Sequence, residues 1–389
     1  MVAGAKTSKT EPIRYGMVGG GQGAFIGAVH RIAARMDGHF ELVAGALSSQ
    51  KKRAVESAKE LGLDPSRSYG SYEEMAKAEA AREDGIEAVA IVTPNHMHAP
   101  IASAFLKAGI HVICDKPLTS TLADAKKLVK LAEASDKLFV LTHNYTGYPM
   151  IRQAREMIAK GKLGTLRVVR AEYAQDWLSE ELEKTGQKQA AWRTDPKQSG
   201  AGGSIGDIGT HAYNLACFVT GATCESLSAD LDTFGKGRKL DDNAHINLRF
   251  EKGLKGTLWC SQVAVGNENG LTLRVYGTKG GLEWHQENPN KLWYTPLGQP
   301  TQLITRGGAG SGEQAGRMTR IPPGHPEGYL EGFANIYSEA ALAIRAVRRK
   351  GGKIPKAVTF PTIQDGLKGM QFIDACVKSD KKNSGWVKL

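Results

Sequence analysis

The sequence is poor in cysteine, and the few it has are badly placed for cross-linking. Cys114, Cys217, Cys224, Cys260 and Cys376 are odd in number, widely spaced and form no CxxC pair. That arithmetic argues against a disulfide framework and a zinc site, and it fits a reducing, cytoplasmic compartment. Neither HExxH nor HxxxH spacing occurs, so no metal is expected. Cys114 reads as a small hydrophobe inside a strand. Long apolar runs are missing too. No stretch approaches a membrane span, and the opening "MVAGAKTSKT" lacks the apolar core of a signal peptide. No membrane partner is expected, and residues 1–12 read as a disordered lead-in. Internal repeats are absent. Acidic residues are the scarcer charge, 40 against 51 Lys and Arg, for a net +11. The basic residues are scattered, with only short runs such as "SQKKRA" and "AVRRKGGK". Without zinc-finger spacing or an aromatic-basic signature, nucleic acid is not an expected partner. The charge is better suited to solubility and to attracting anionic cofactors.

What is present is a regular alternation. "IRYGMVGGG", "FELVAGALSS", "IEAVAIVTP", "HVICDKP" and "LFVLTHNY" read as buried strands, and helical patterns separate them. Strand and helix alternating from residue 13 to about 145 predict a parallel, doubly wound sheet. Beyond it, segments such as "NAHINLRFE", "LKGTLWCSQVAV", "LTLRVYGT" and "GLEWHQ" alternate polar and apolar residues between turns. They predict a second α/β domain, 146–360, built on a large, mostly antiparallel sheet with one covered face. Some apolar residues of these strands exceed what one helical layer covers, which predicts a homodimer or homotetramer. The loop "RGGAGSGEQAGR" reads as mobile. A last helix, within 361–389, closes the chain.

The first strand runs into Gly19, Gly20 and Gly21, then Gln22, Gly23, Ala24, Phe25, Ile26 and Gly27. Glycines permit a tight turn and close approach of a pyrophosphate, and the next helix offers N–H groups to it. Gly19, Gly21 and Ala24 fit GxGxx[GA], and Gly27 lies three residues beyond the usual third glycine. After the first strand of a βαβ series this predicts a dinucleotide site. The second strand ends in Ser48 and Ser49, with Arg53 on the following helix, where an NAD site usually has a carboxylate. Hydroxyls with a guanidinium suit a 2′-phosphate, so NADP is favoured, although serine can also bond the ribose of NAD.

Ligands of such sheets bind beyond the carboxyl ends of the strands. Three ends carry unusual residues: Thr93, Pro94, Asn95, His96 and His98; Asp115, Lys116 and Pro117; His143, Asn144 and Tyr145. Of these, Thr93, Pro94, Asn95, His98, Asp115, Lys116, Pro117 and Asn144 join the glycine turn as cofactor residues, and His143 and Tyr145 fall to the substrate. Farther on, "GAGGSIGDIGTHAYNLACFVTG" suits a helix that puts Asp207 and His211 four residues apart on one face. Such a pair suits proton transfer. Gly206 and Gly209 should each cost that helix about 1 kcal/mol relative to Ala, so something is expected to approach its backbone closely.

Together the glycine turn, "VTPNHMHAPIASAFLKAGIHVICDKPLTSTLADA" and "WRTDPKQSGAGGSIGDIGTH" resemble the Gfo/Idh/MocA oxidoreductases over nearly the whole chain. Asp115 replaces the usual Glu before Lys-Pro, and Thr146 stands where Arg often follows Tyr145. The resemblance implies an N-terminal Rossmann domain and a C-terminal domain whose open sheet forms oligomer contacts. It also implies a catalytic set of Lys116, Asp207 and His211. Lys116 would bond the reacting hydroxyl beside Pro117 and the nicotinamide. His211 would take the hydroxyl proton, and Asp207 would orient substrate and His211. Trp192, Arg193 and His325 would border the substrate pocket, or His325 would cap the next helix. The implied activity is NAD(P)-dependent oxidation of a secondary alcohol of a sugar, sugar derivative or cyclitol. A redox-assisted glycosidase and a non-catalytic sensor are the alternatives on this fold. A sensor would tolerate loss of Lys116 or His211, and this chain keeps both.

Overall fold

The computed structural model describes residues 11–349 and 351–389, so nearly all of the proposed lead-in lies outside the described residues. The first half alternates β1 (Ile13–Gly19), α1 (Phe25–Met36), β2 (Phe40–Ala46), α2 (Lys51–Glu60), α3 (Tyr72–Ala80), β3 (Ala88–Val92), α4 (His98–Lys107), β4 (His111–Cys114), α5 (Leu122–Glu133) and β5 (Phe139–Leu141). The five strands are parallel in the order β2-β1-β3-β4-β5. Strand order reverses beside β1, which opens a crevice at the carboxyl edge between β1 and β3. Helix α3 is additional to the sequence reading. Its signal is "SYEE": Ser71 Oγ accepts from Glu74 N at 3.1 Å, and the Glu74 carboxylate accepts from Gly70 N at 3.2 Å. Strands β4 and β5 are shorter than their sequence patterns because the chain leaves the sheet at Asp115 and Thr142, where the site begins.

The second half runs α6 (Pro149–Ala159), β6 (Leu166–Ala174), α7 (Lys188–Arg193), α8 (Pro196–Ser199), α9 (Thr210–Thr220), β7 (Cys224–Asp232), β8 (Asn243–Phe250), β9 (Lys255–Ser261), β10 (Gly270–Gly277), β11 (Gly280–His285), β12 (Lys291–Pro296) and β13 (Gln302–Thr305). It ends with α10 (Glu313–Gly316), α11 (Tyr329–Val347), α12 (Ile363–Asp380) and β14 (Val387–Lys388). Nine strands form one sheet in the order β13-β12-β11-β10-β6-β9-β8-β7-β14. All pairs are antiparallel except β6 with β9, which run parallel. Alternation holds: in β8 every second residue from Ala244 to Phe250 is buried.

Three features differ from the sequence reading. The aliphatic residues of β9 and β10, including Leu258, Leu271, Leu273 and Val275, face the molecule's own core, whereas Trp259 is half-buried and Tyr276 exposed. The outer face instead carries Arg170, Glu172, Arg274 and Glu283, joined in ion pairs. The outer face of the sheet is thus charged and aromatic rather than aliphatic. The glycine-rich loop after β13 is fastened rather than loose. The buried Arg306 guanidinium donates to the Glu327 carboxylate and to the carbonyls of Ile321, Pro322 and His325, while Gly312 N donates to Gln153 Oε1 at 2.6 Å. Lastly, α11 lies against α1. Phe333, Ile336 and Tyr337 share a core with Tyr15, Met17 and Phe40 of the first sheet, and His30 Nδ1 is 2.8 Å from the Tyr337 hydroxyl. Helix α12 packs on both α5 and β7. All five cysteines are free, and Cys114 is fully buried as a strand hydrophobe.

Candidate functional site

One cavity of about 1270 Å³ runs along the carboxyl ends of the first sheet and on to the second half. It exceeds the usual range of a small-ligand pocket, about 300–1,000 Å³, and is large enough for a dinucleotide with a small substrate beside it. Its walls include Gly19, Gly20, Gly21, Gln22, Ala24, Phe25 and Ile26, then Ser48, Ser49 and Arg53, then Thr93, Pro94 and Asn95. Asp115, Lys116, Asn144 and Tyr145 continue it, and Trp192, Arg193, Asp207 and His211 face them from the other half.

The glycine turn is packed closely against α1 and the end of β2 and lies along the cavity wall. A Cβ on Gly27 would stand 2.4 Å from Gly20 Cα, and one on Gly21 would stand 2.7 Å from Leu47 O. The turn and α1 are thus in backbone contact at Gly20 and Gly27. Gly27, not Ala24, plays the part of the third glycine, which permits close helix packing. Ala24 is the N-cap of α1. The longer spacing between Gly21 and Gly27 is accommodated by Gly23, which sits at the tip of the turn and off the cavity wall. At the far end the buried Asn144 Nδ2 has no hydrogen-bond partner among the described residues and lies on the wall, so a donor is available for a ligand carbonyl. These residues suit a nicotinamide dinucleotide.

Several expected ligand residues prove to be braces. His98 is fully buried with Nδ1 2.8 Å from Pro117 O and Nε2 2.9 Å from Thr93 O, so it ties two strand ends together and does not reach the cavity. Pro117 is likewise off the wall. Asp115 Oδ1 accepts from Lys116 N at 3.1 Å and from Thr142 Oγ1 at 2.9 Å, which joins the ends of β4 and β5. Asn95 Nδ2 donates to Ser199 O at 2.9 Å and holds the first half to α8. His325 is exposed, off the cavity wall, and not a cap. Arg306 pins its carbonyl, and the N-cap of α11 is Gly328.

Asp207 and His211 do not form the expected pair. Asp207 lies in a π turn, Ile205–Gly209, that opens the α9 helix, so the two side chains take different partners. Lys116 Nζ donates to the Asp207 carbonyl at 2.5 Å and to Oδ1 at 2.9 Å. Arg193 Nε at 3.1 Å and Gln262 Nε2 at 2.9 Å donate to Oδ2. Burial alone would raise the Asp207 carboxyl, but the charges and hydrogen bonds of Lys116 and Arg193 outweigh it and hold the group well below the carboxylate range. His211 stands beside His143 instead, Nδ1 to Nδ1 at 3.4 Å, with its ring edge-on to Tyr145. Burial, then the Lys116 charge and His143, push His211 well below its ordinary value, and burial lowers His143 to about 3. Both rings are therefore neutral at neutral pH. His143 is behind His211, off the wall.

Of the two costly glycines, Gly209 has a close neighbour, Cys260 Sγ, 2.9 Å from where a Cβ would sit, and Gly206 has none within 4 Å. Gln175, Trp177 and Gln262 were not foreseen. They follow the ends of β6 and β9, and only the parallel pairing of those strands brings them to one edge. Gln175, Trp177, His96, Gln189, Asn269, Gln286 and Tyr329 line the cavity, while the buried Gln262 stands behind Asp207.

A parallel sheet with a glycine cradle at its switch point, joined to a wall bearing Lys, Asp and His, defines an NAD-binding oxidoreductase. The comparisons agree. Residues 13–143 match the model described as oxidoreductase family, NAD-binding Rossmann fold, and 151–283 the GFO/IDH/MocA C-terminal domain. The chain belongs to the Gfo/Idh/MocA oxidoreductase family. It is 37% identical to the uncharacterized oxidoreductase YfiI of Bacillus subtilis (strain 168), over 98% of each chain. An oxidoreductase structure from Sinorhizobium meliloti is similar at 62% identity and TM-score 0.89, covering 97% of this chain and 100% of that one. An inositol dehydrogenase homolog from Azotobacter vinelandii, complexed with NADH and myo-inositol, is similar at 38% identity and TM-score 0.92 over 98% of each.

Proposed function

We propose that this oxidoreductase is a dehydrogenase for a secondary alcohol of an uncharged sugar or cyclitol. The observation that carries the reading is the Lys116 clamp. Two of the three ammonium protons go to Asp207, one to its carbonyl and one to its carboxylate. The third is left for a substrate oxygen at the cavity wall. A fixed cation there stabilises an alkoxide as it develops. His211, neutral on the same wall, accepts the hydroxyl proton in oxidation and returns it in reduction. Asp207 acts on Lys116 and Arg193 rather than on His211. A bound nicotinamide supplies the hydride acceptor or donor.

The lining supports a neutral polyol. Gln175, Gln189, Asn269 and Gln286 bring amides to the site, and Trp177 and Trp192 present apolar faces. The Arg193 charge is already met by Asp207, which leaves it little to offer a phosphate or carboxylate, and the other lining cation on this side, Lys188, is an exposed residue at the start of α7. The Azotobacter homolog, seen with myo-inositol, points to the same class.

Cofactor choice turns on the adenosine end. Ser48, Ser49 and Arg53 line it, as the NADP reading requires, but so does Glu73, an acidic residue. The segment before Glu73 runs along β2: Ser68 bridges Gly45, and Tyr69 N donates to Gly45 O at 2.9 Å. A carboxylate there opposes a 2′-phosphate, and the reading becomes NAD. We also retain association through the outer face of the large sheet, now on its charged and aromatic residues Tyr276, Trp293 and Arg274.

Purified protein assayed with NAD and NADP against neutral sugars, cyclitols and their phosphates tests the function. Turnover is expected with uncharged polyols; turnover confined to phosphorylated sugars would overturn it. Fluorescence titration should give an NADH Kd at least about tenfold below that for NADPH, equivalent to about 1.4 kcal/mol. Glu73→Gln should narrow the gap. Tighter NADPH binding by the wild type would restore the NADP assignment.

A further inference from the structure

We infer that Asp241, outside the cavity, is a positioning residue that seats the π turn carrying Asp207 and so aims the Lys116 ammonium. The inference rests on the dehydrogenase reading above for its kinetic consequences only.

Asp241 lies in the bend before β8 and is 7% exposed. Its Oδ1 accepts from Gly203 N at 2.7 Å, and its Oδ2 from Ser204 Oγ at 2.6 Å and Ile205 N at 2.8 Å. Its own carbonyl accepts from Ser204 N at 2.7 Å. One residue thus binds three consecutive residues at the mouth of the turn. The approach leaves no slack: a Cβ on Gly203 would stand 2.0 Å from the Asp241 carbonyl oxygen. No Lys or Arg among the described residues pairs with this carboxylate, in contrast to the usual buried acid. Burial raises the Asp241 carboxyl above its ordinary value, and the Ser204 hydroxyl with the N–H groups at the helix start offsets part of that cost.

The consequence reaches the site in two residues. Ile205 begins the π turn, and Asp207 offers both its carbonyl and its carboxylate to Lys116. A shift of the turn moves both acceptors together and takes the ammonium with them. His211 follows on the same helix. An Asn at 241 keeps the volume but has one acceptor oxygen, and its amide N–H would face the donors on the other side. The seat then opens without leaving a cavity.

The chain contains its own control. Neighbouring Asp242 is also buried and hydrogen-bonded, but its carboxylate accepts from Phe234 N at 2.9 Å, Gly235 N at 2.8 Å and the ion-paired Arg238 Nη1 at 3.1 Å, away from the turn. Asp241→Asn and Asp242→Asn should therefore lower Tm alike and differ in catalysis. For Asp241→Asn we expect kcat on the best polyol to fall about 10- to 100-fold, as for misplacement on the ångström scale. The NADH Kd should stay within about twofold. Asp242→Asn should keep kcat within about threefold. Equal kcat losses in the two variants, or a kcat for Asp241→Asn within threefold of wild type, would overturn the assignment. If Asp241→Asn does not fold, Ser204→Ala carries the test: it removes one donor to the carboxylate, and an unchanged kcat would sink the proposal. If the wild type oxidises no polyol, the dehydrogenase reading fails, and hydrogen–deuterium exchange of the 203–211 segment still decides the seat. Faster exchange there in Asp241→Asn but not in Asp242→Asn supports it, and equal exchange overturns it.

Discussion

Lys116 and His211 divide the work at the reacting oxygen. The ammonium is fixed by two acceptors of one residue, so it costs no reorganisation when charge develops. The imidazole is kept neutral by burial and by that same ammonium, so it has room to take a proton. Replacing His211 with Asn removes the acceptor while keeping a polar side chain against His143 and Tyr145. We expect His211→Asn to lower kcat by at least about 10²-fold while NADH Kd changes less than about twofold, because the residue stands at the substrate end. Wild-type turnover in stopped-flow measurement would remove His211 from the mechanism.

Elements set where these residues can stand. Helix α1 reaches the glycine turn only because Gly27 has no Cβ. Gly27→Ala would bring a methyl carbon to 2.4 Å from Gly20 Cα and 2.5 Å from Gly20 O, against backbone that cannot yield. Fluorescence titration should find NADH affinity reduced at least about tenfold, or about 1.4 kcal/mol; an unchanged Kd would mean that the turn does not hold the pyrophosphate. The parallel strands were legible because each is a short apolar run bounded by turn residues. The glycine motif was legible too, but its register slipped by three, since spacing alone cannot tell which glycine touches the helix. The π turn was hidden. Ile205 and Ile208 fit an α-helix as well, and nothing in the residues marks one extra position per turn. The edge bearing Gln175 and Gln262 was hidden because strand alternation is the same in parallel and antiparallel pairs. His98 and His325 misled for another reason: ring chemistry says nothing of whether the partner is a ligand or a carbonyl of the chain.

The whole molecule keeps several histidines buried and uncharged. Burial lowers His30, His98 and His211, takes His111 to about 4 and His143 to about 3. An unfolded chain protonates histidine near 6.5, and the folded one does not until far lower. Stability is therefore complete above 6.5 and is lost as pH falls from there through the folded values. Carboxyls held low, such as Asp207, add their loss only below about pH 5, where an unfolded Asp begins to protonate. Melting curves should be flat from pH 8 to 7 and fall steadily from 6.5 to 4. A Tm unchanged down to pH 5 would mean that the folded protein charges these rings.

Helix α11 gives the molecule a history as well as a shape. One face of the five-stranded sheet, with Tyr15, Met17, Ala90 and Val140, is roofed in part by Phe333, Ile336 and Tyr337. Strands made early are closed over by residues that follow them much later in the chain. Helix α1 covers part of that apolar face early, and the rest waits until about 200 further residues have left the ribosome at about 5–20 residues per second, an interval of tens of seconds. A holding chaperone has something to bind throughout it. For the same reason the first 145 residues are not a transplantable cassette: a chimera that exchanges them with a relative must carry 329–347 along, or it will mate a sheet with a roof shaped for another.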